Sequence, residues 1–203
     1  TQDRSSAASD VYKRQELRII GDGPFREELE RRVREYGLED NVTFLGWMDQ
    51  KEVGRELSSA QAMAFPSLRE FGGGVVLEAM ASGLPSIIVD YGGPAELVTK
   101  ETGIALPMQP REGLITDLRT AMESLATNHD RCRTLAENSV REVRTKYTWD
   151  AKAGQMLDFY EKLVPGVMDR SGSEATNQES VDAVLAEVDG ALREETRDVL
   201  ADV

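Results

Sequence analysis

The sequence predicts a doubly wound α/β domain, a parallel sheet with helices on both faces, followed by an acidic helical tail. Three observations carry that prediction. Five short apolar runs, at residues 17–20, 42–45, 62–65, 86–89 and 104–106, alternate with stretches of helical periodicity. The runs are apolar at most positions, as strands buried on both faces require. Loops follow the runs ending at Ile20, Leu45, Phe65 and Val89, on the edge where a doubly wound sheet binds its ligands.

Taken in order, residues 1–15 are polar and aperiodic and read as a disordered, non-native scar. The strand at 17–20 leads into Gly21-Asp22-Gly23-Pro24, a turn whose Pro24 suits the first helical position. Phe25, Leu29 and Val33 then recur at helical spacing, and Gly37 closes that helix. The strand at 42–45 leads into Gly46-Trp47-Met48-Asp49-Gln50, and the strand at 62–65 into a loop with three consecutive glycines and a helix over 75–82. After the strand at 86–89, Gly92-Gly93-Pro94 turns into a further helix. Beyond the fifth strand, Leu114, Leu118, Met122 and Leu125 form one apolar stripe, Leu135 and Val143 mark a second, and Met156, Tyr160 and Leu163 a third that ends before Pro165. One domain over 16–165 follows. Residues 166–178 are rich in Gly, Ser, Thr and Asn and read as a linker. In 179–203, Val181, Val184, Leu185, Val188 and Leu192 share one face of an amphipathic helix, and from residue 166 onward ten acidic side chains face three basic ones.

The bulk properties narrow the function. A chain of 203 residues with 40% hydrophobic content can bury one good core. The net charge of −13 argues against a nucleic-acid or anionic-membrane partner, which needs clustered Lys and Arg. It leaves room for a small anion held by local amides. No run approaches the roughly 18 apolar residues of a transmembrane segment, and no signal-peptide segment opens the chain. The single cysteine, Cys132, excludes an internal disulfide and fits a reducing compartment, so the cytoplasm is the expected location. His129 is the one histidine and is expected at the surface or capping a helix. One His and one Cys make no transition-metal cluster, so no metal site is expected.

Residues 66–85 carry the chemistry. Gly72, Gly73 and Gly74 stand before a helix, whose start presents unpaired N–H groups and a positive dipole end that favour a diphosphate. Glu70 and Glu78 flank those glycines. Carboxylates repel phosphate but accept hydrogen bonds from hydroxyls, such as those of a ribose or hexose on either side of a diphosphate. Glycines before a helix can equally be a plain turn. Glu78, however, lies among Val75, Val76, Leu77, Ala79, Met80 and Ala81, a buried helix in which a carboxylate needs partners. Gly21-Asp22-Gly23 opens like a dinucleotide fingerprint, yet Arg26 stands where the third glycine is required.

The Glu-x7-Glu spacing of Glu70 and Glu78, followed by Ala-Met-Ala-Ser-Gly, resembles the donor site of the family 4 retaining glycosyltransferases. Leu-Arg-Ile-Ile-Gly-Asp-Gly-Pro at 17–24, Val-Thr-Phe-Leu-Gly at 42–46 and Asp-Tyr-Gly-Gly-Pro-Ala-Glu-Leu-Val at 90–98 fall in the order of that family's C-terminal domain. One departure is Glu70-Phe71-Gly72-Gly73, where most members read Glu-Gly-Phe-Gly. The resemblance covers roughly residues 16–164 and implies the C-terminal, Rossmann-like half of a GT-B fold. It further implies transfer of a sugar from UDP or GDP to an acceptor hydroxyl with retention, without metal or other cofactor. Under it, Glu70 is the catalytic carboxylate that binds the transferring sugar, and Glu78 accepts the ribose hydroxyls. The amides of Phe71, Gly72, Gly73, Gly74 and Val75 contact sugar hydroxyls and diphosphate.

Gly21 and Gly23 would line the donor cleft, or form only a strand-to-helix turn; Met48 would lie near the base, or serve only packing. The acceptor is undefined. The family's upstream Arg and Lys and its N-terminal acceptor domain are expected to be missing, leaving this chain inactive alone. A non-catalytic nucleotide-binding module is the alternative, with a nicotinamide-dependent oxidoreductase behind it because the fingerprint fails. A glycosidase is disfavoured, since its two carboxylates must flank the bond from opposite sides.

Overall fold

A computed structural model describes residues 15–163 of the chain. The chain divides into two compact units between Val143 and Arg144. In the first unit, β1 (Leu17–Ile20) pairs in parallel with β2 (Val42–Gly46), while β3 (Met63–Phe65), β4 (Ser86–Val89) and β5 (Gly103–Leu106) form a second parallel set in that order. The strands thus pair as two sets, with β3 hydrogen-bonded to β4 and to neither β1 nor β2. Between the strands run α1 (Arg26–Glu35), α2 (Gln50–Ser59), α3 (Gly74–Ala81) and α4 (Gly92–Leu97). After β5 come α5 (Arg111–Thr127) and α6 (His129–Lys146), whose last residues pass into the second unit.

The five strands fall where the apolar runs predict, within a residue at either end. Helix α1 starts later than expected. Pro24 lies in the turn before it, Phe25 is the N-cap, and the first helical residue is Arg26. Glu27 and Glu28 in its first turn and Arg32 and Arg34 in its last match the helix dipole. Glu28–Arg32 and Arg31–Glu35 pair one turn apart. The helix ends because Gly37 adopts φ +64 and its N–H reaches the Arg34 carbonyl at 3.1 Å, while Leu38 N–H reaches the Val33 carbonyl at 2.9 Å.

The core centres on β4, whose four residues are all buried. Register assigns its faces, because paired residues of parallel strands point to the same side. Met63, opposite Ser86, packs with Leu57 of α2, Ala79 of α3 and Leu84 of the connection that follows α3. Ile87 points the other way and packs with Leu106 of β5 and with Ala121, Leu125 and Leu135 of the α5–α6 layer. Helices therefore cover both faces of this sheet, as predicted. Buried Ser139 ties α6 to the β5 approach: its hydroxyl lies 2.9 Å from both the Thr102 and Leu135 carbonyls. On β1, Arg18 pairs with Glu56 and donates to Ser59 Oγ at 2.8 Å, fastening the first strand to α2.

His129 is the exposed first residue of α6, where Asn128 Oδ1 accepts the Arg131 N–H at 2.9 Å, so Asn128 and not His129 supplies the cap. In the second unit, α7 (Trp149–Leu163) is capped by Thr148, whose Oγ1 accepts the Ala151 N–H at 3.2 Å. The rings of Phe159 and Tyr160 meet at a tilt of 53° with centroids 6.4 Å apart. The linker over 166–178, the tail over 179–203 and all but the last residue of the expected scar over 1–15 lie outside the described residues. Among the described residues, no helix is long and apolar enough to cross a membrane.

Candidate functional site

The loops after β1, β2, β3 and β4 leave the carboxyl ends of parallel strands, and a chain of contacts links them. The first joins β1 to β2: Gly21, at φ +114, donates its N–H to the Gly46 carbonyl at 2.7 Å. Gly23 N–H is held by Asp22 Oδ1 at 2.7 Å. Arg26 fixes this corner. Its guanidinium reaches Glu30 at 2.9 Å and Asp22 at 3.2 Å and sits 6.0 Å from the Phe44 ring centroid. The hydrogen bond that Arg26 donates to Glu30, with the nearby charges of Asp22 and Glu30, holds the guanidinium pKa above its ordinary value against some desolvation. A side chain at Gly46 would meet Arg26 at 3.2 Å, so the glycine lets the arginine tuck under the second loop. Sequence reasoning registered Arg26 only as the residue that breaks the dinucleotide fingerprint.

The second contact joins the β2 loop to α3. Asp49 is the N-cap of α2 in a full capping box: its Oδ1 accepts the Glu52 N–H at 2.8 Å, and Glu52 Oε2 accepts the Asp49 N–H at 2.8 Å. With the first turn pinned, Gln50 Nε2 donates to Glu78 Oε1 at 3.1 Å. Here is the partner that a carboxylate on a largely buried helix needs, although Glu78 is half-buried and not fully enclosed. Nothing in the spacing of the sequence marked Gln50 for that contact. Trp47 is 79% exposed, which excludes a packing role for that ring, while Met48 is half-buried.

The third contact lies within the glycine loop. Glu70 folds back so that Oε1 accepts N–H groups from Gly72 at 3.2 Å and Gly73 at 3.0 Å. The carboxylate thus sits on amides at the N-terminus of α3, where negative charge is favoured. Gly73, at φ +64, is the N-cap, and the helix begins at Gly74, one residue earlier than the sequence indicated. Val75 and Val76 follow in its first turn, with Val76 fully buried. Phe71 is 97% exposed, so at this departure from the usual motif the ring packs against nothing and the backbone defines the loop.

The β4 loop closes the arrangement against that backbone. A Cβ on Gly93 would lie 2.1 Å from the Phe71 carbonyl oxygen, and one on Gly92, at φ +63, would lie 2.8 Å from the Glu70 carbonyl oxygen. A Cβ on Gly73 would meet Leu97 and Pro94 at 3.1 to 3.3 Å. The Gly92-Gly93-Pro94 turn therefore supports the glycine loop from behind. The glycine doublet was the available signal, read in the sequence as a turn into a helix and not as a support for the glycine loop. Of the residues singled out in the sequence, the structure joins Gly21 to the β2 loop and Glu78 to Gln50, and brings Glu70 onto Gly72 and Gly73.

Residues 5–141 match the model of the family described as Glycosyl transferases group 1. The chain is 30% identical over 146 residues to alpha-D-kanosaminyltransferase of Streptomyces kanamyceticus, covering 71% of this chain and 37% of that relative. It is 29% identical over 157 residues to the GDP-mannose-dependent alpha-(1-6)-phosphatidylinositol monomannoside mannosyltransferase of Mycobacterium tuberculosis, covering 70% and 38%. Among solved structures, sucrose-phosphate synthase from Thermosynechococcus elongatus superposes with a TM-score of 0.60 at 32% identity, over 77% of this chain and 40% of that one. The chain spans well under half the length of each of these relatives.

Proposed function

The chain belongs to the group 1 glycosyl transferases, and we propose that it is the donor-binding domain of a retaining enzyme that moves a sugar from a UDP- or GDP-sugar to an acceptor hydroxyl without a bound metal. The observation that supports this reading most is the pair of carboxylates on one glycine loop and its helix, Glu70 on the Gly72 and Gly73 amides and Glu78 held by Gln50. The mycobacterial relative, by its name dependent on GDP-mannose, supports a sugar nucleotide as donor.

In this reading Glu78 accepts the ribose hydroxyls, and Glu70 accepts a hydroxyl of the transferring sugar. The amides from Phe71 to Val75 face the sugar and the diphosphate, with Gly21 and Gly23 along the cleft and Met48 near the base. As the glycosidic bond breaks, charge grows on the departing phosphate, and preorganised amides at a helix end stabilise it without rearranging. The acceptor must be held within about 3 to 3.5 Å of the reacting carbon, and we assign that task to a second domain.

Calorimetric titration tests the assignment. Glu78→Ala weakens whichever of UDP and GDP binds by about 1.5 to 3 kcal/mol, the usual loss of hydrogen bonds to a charged group. Glu70→Ala leaves plain nucleotide affinity nearly unchanged and weakens the sugar nucleotide. Unchanged nucleotide affinity in Glu78→Ala, or equal losses for nucleotide and sugar nucleotide in Glu70→Ala, contradicts these roles.

A further inference from the structure

We propose that Gln50 is the positioning residue for the Glu78 carboxylate and, through it, sets the preference of this site for a ribonucleotide over a nucleotide lacking ribose hydroxyls; the proposal rests on the donor reading above. The carboxylate only accepts hydrogen bonds, so the amide nitrogen of Gln50 must face it, and that contact occupies Oε1. The remaining oxygen and lone pairs stay available to hydroxyl donors. A carboxylate with one oxygen already anchored has less torsional freedom to lose when a ligand arrives, so its hydrogen bonds to that ligand are effectively stronger. Gln50 can do this because its own backbone is fixed by the reciprocal Asp49–Glu52 capping box one residue before it.

The chemistry of the side chain makes the effect separable. Lysine or arginine at this position would attract a diphosphate whether or not ribose hydroxyls were present. A neutral carboxamide adds no such field, so its influence is confined to what Glu78 touches. Gln50 also lies two residues after Met48, on the segment assigned to the base, and bonds to the helix assigned to the ribose. It is thus a physical link between the two parts of a nucleoside site. Gln50 is itself exposed, so replacing it opens no cavity in the core.

Equilibrium binding of UDP and GDP, each against its 2′,3′-dideoxy analogue, tests the proposal on the full chain. The parent and the variants Gln50→Ala, Gln50→Glu and Glu78→Ala are compared, together with the Gln50→Ala/Glu78→Ala double variant. Gln50→Ala is expected to lower ribonucleotide affinity about fivefold, the effect of one hydrogen bond, and to leave the dideoxy analogue within twofold of the parent. Gln50→Glu, which sets a like charge beside Glu78, should lower it further. The double variant should bind no more weakly than Glu78→Ala alone, since both changes act through one carboxylate. Equal weakening of both nucleotides by Gln50→Ala overturns the proposal, because a general structural role would act that way. So does an unchanged Gln50→Ala when Glu78→Ala abolishes the ribose preference; in that case the donor reading stands. If Glu78→Ala leaves the ribose preference intact, or the parent shows none, the donor reading itself fails and takes the proposal with it.

Discussion

Replacing Gly93 with alanine should damage the glycine loop from outside the motif that defines it. The added Cβ would lie 2.1 Å from the Phe71 carbonyl oxygen, 2.9 Å from the Phe71 carbonyl carbon and 3.0 Å from the Gly72 carbonyl carbon. Ordinary contact begins near 3.4 Å, so one backbone or the other must retreat by about 1.3 Å. No rotamer change relieves this, because the obstructing atoms are all main chain. Overpacking of this kind costs about 1 to 3 kcal/mol. For a domain of this size about 2 kcal/mol lowers the melting temperature by roughly 4 to 8 °C. Gly74→Ala is the matched control. Its Cβ would meet nothing within 4 Å and it stands at the first position of a helix, where alanine is at least as favourable as glycine. Thermal melts of parent, Gly93→Ala and Gly74→Ala followed by circular dichroism make the comparison. Equal melting temperatures for the two variants would refute the idea that the Gly92-Gly93 turn is pressed against the loop.

Asp49→Ala removes the side-chain acceptor of the Glu52 N–H, leaving only the reciprocal bond from the residue 49 backbone N–H to Glu52, and should cost about 1 kcal/mol in urea denaturation; an unchanged midpoint would mean that this cap does not hold α2. Ser139→Ala should cost about 1 to 3 kcal/mol, because it strips a buried hydroxyl from the Thr102 and Leu135 carbonyls; a loss below 0.5 kcal/mol, roughly the low end for any buried bond, would contradict that contact. Burial pushes the Cys132 thiol pKa up, so at pH near 7 it carries less thiolate and should alkylate with N-ethylmaleimide more slowly than free glutathione. Equal or faster labelling would show that the site is open. Metal removal is expected to leave nucleotide affinity unchanged: titrations with EDTA and with added magnesium should agree, and a tenfold difference would overturn the metal-free reading.

The strands were legible because each apolar run is short, continuous and bounded by turn residues, and β4, buried along its whole length, is the clearest case. The start of α1 was misread by two residues. Proline is compatible with a first helical turn, but the local rule could not weigh the turn that Asp22 and Gly23 make, closed by the Arg26 N–H on the Gly23 carbonyl at 3.1 Å. Pairing into two sets was not legible at all, because strand neighbours are chosen by tertiary packing and not by the runs themselves. At the candidate site, Glu70, Glu78 and the three glycines stood out because they are close in sequence and chemically contrasting. Gln50, Gly92 and Gly93 act across 20 or more positions, and a single sequence has no way to show that two distant segments touch.

Backbone amide resonances test the central claim most directly, because the account assigns the donor to particular N–H groups. In a nitrogen-15 NMR titration of the full chain with UDP-glucose and GDP-mannose, the Gly72 and Gly73 amides, now bonded to Glu70 Oε1, should move the most, with those of Gly74 and Val75 close behind. Saturable binding of either sugar nucleotide that leaves the Gly72 and Gly73 amides unmoved would place the ligand elsewhere and contradict the account.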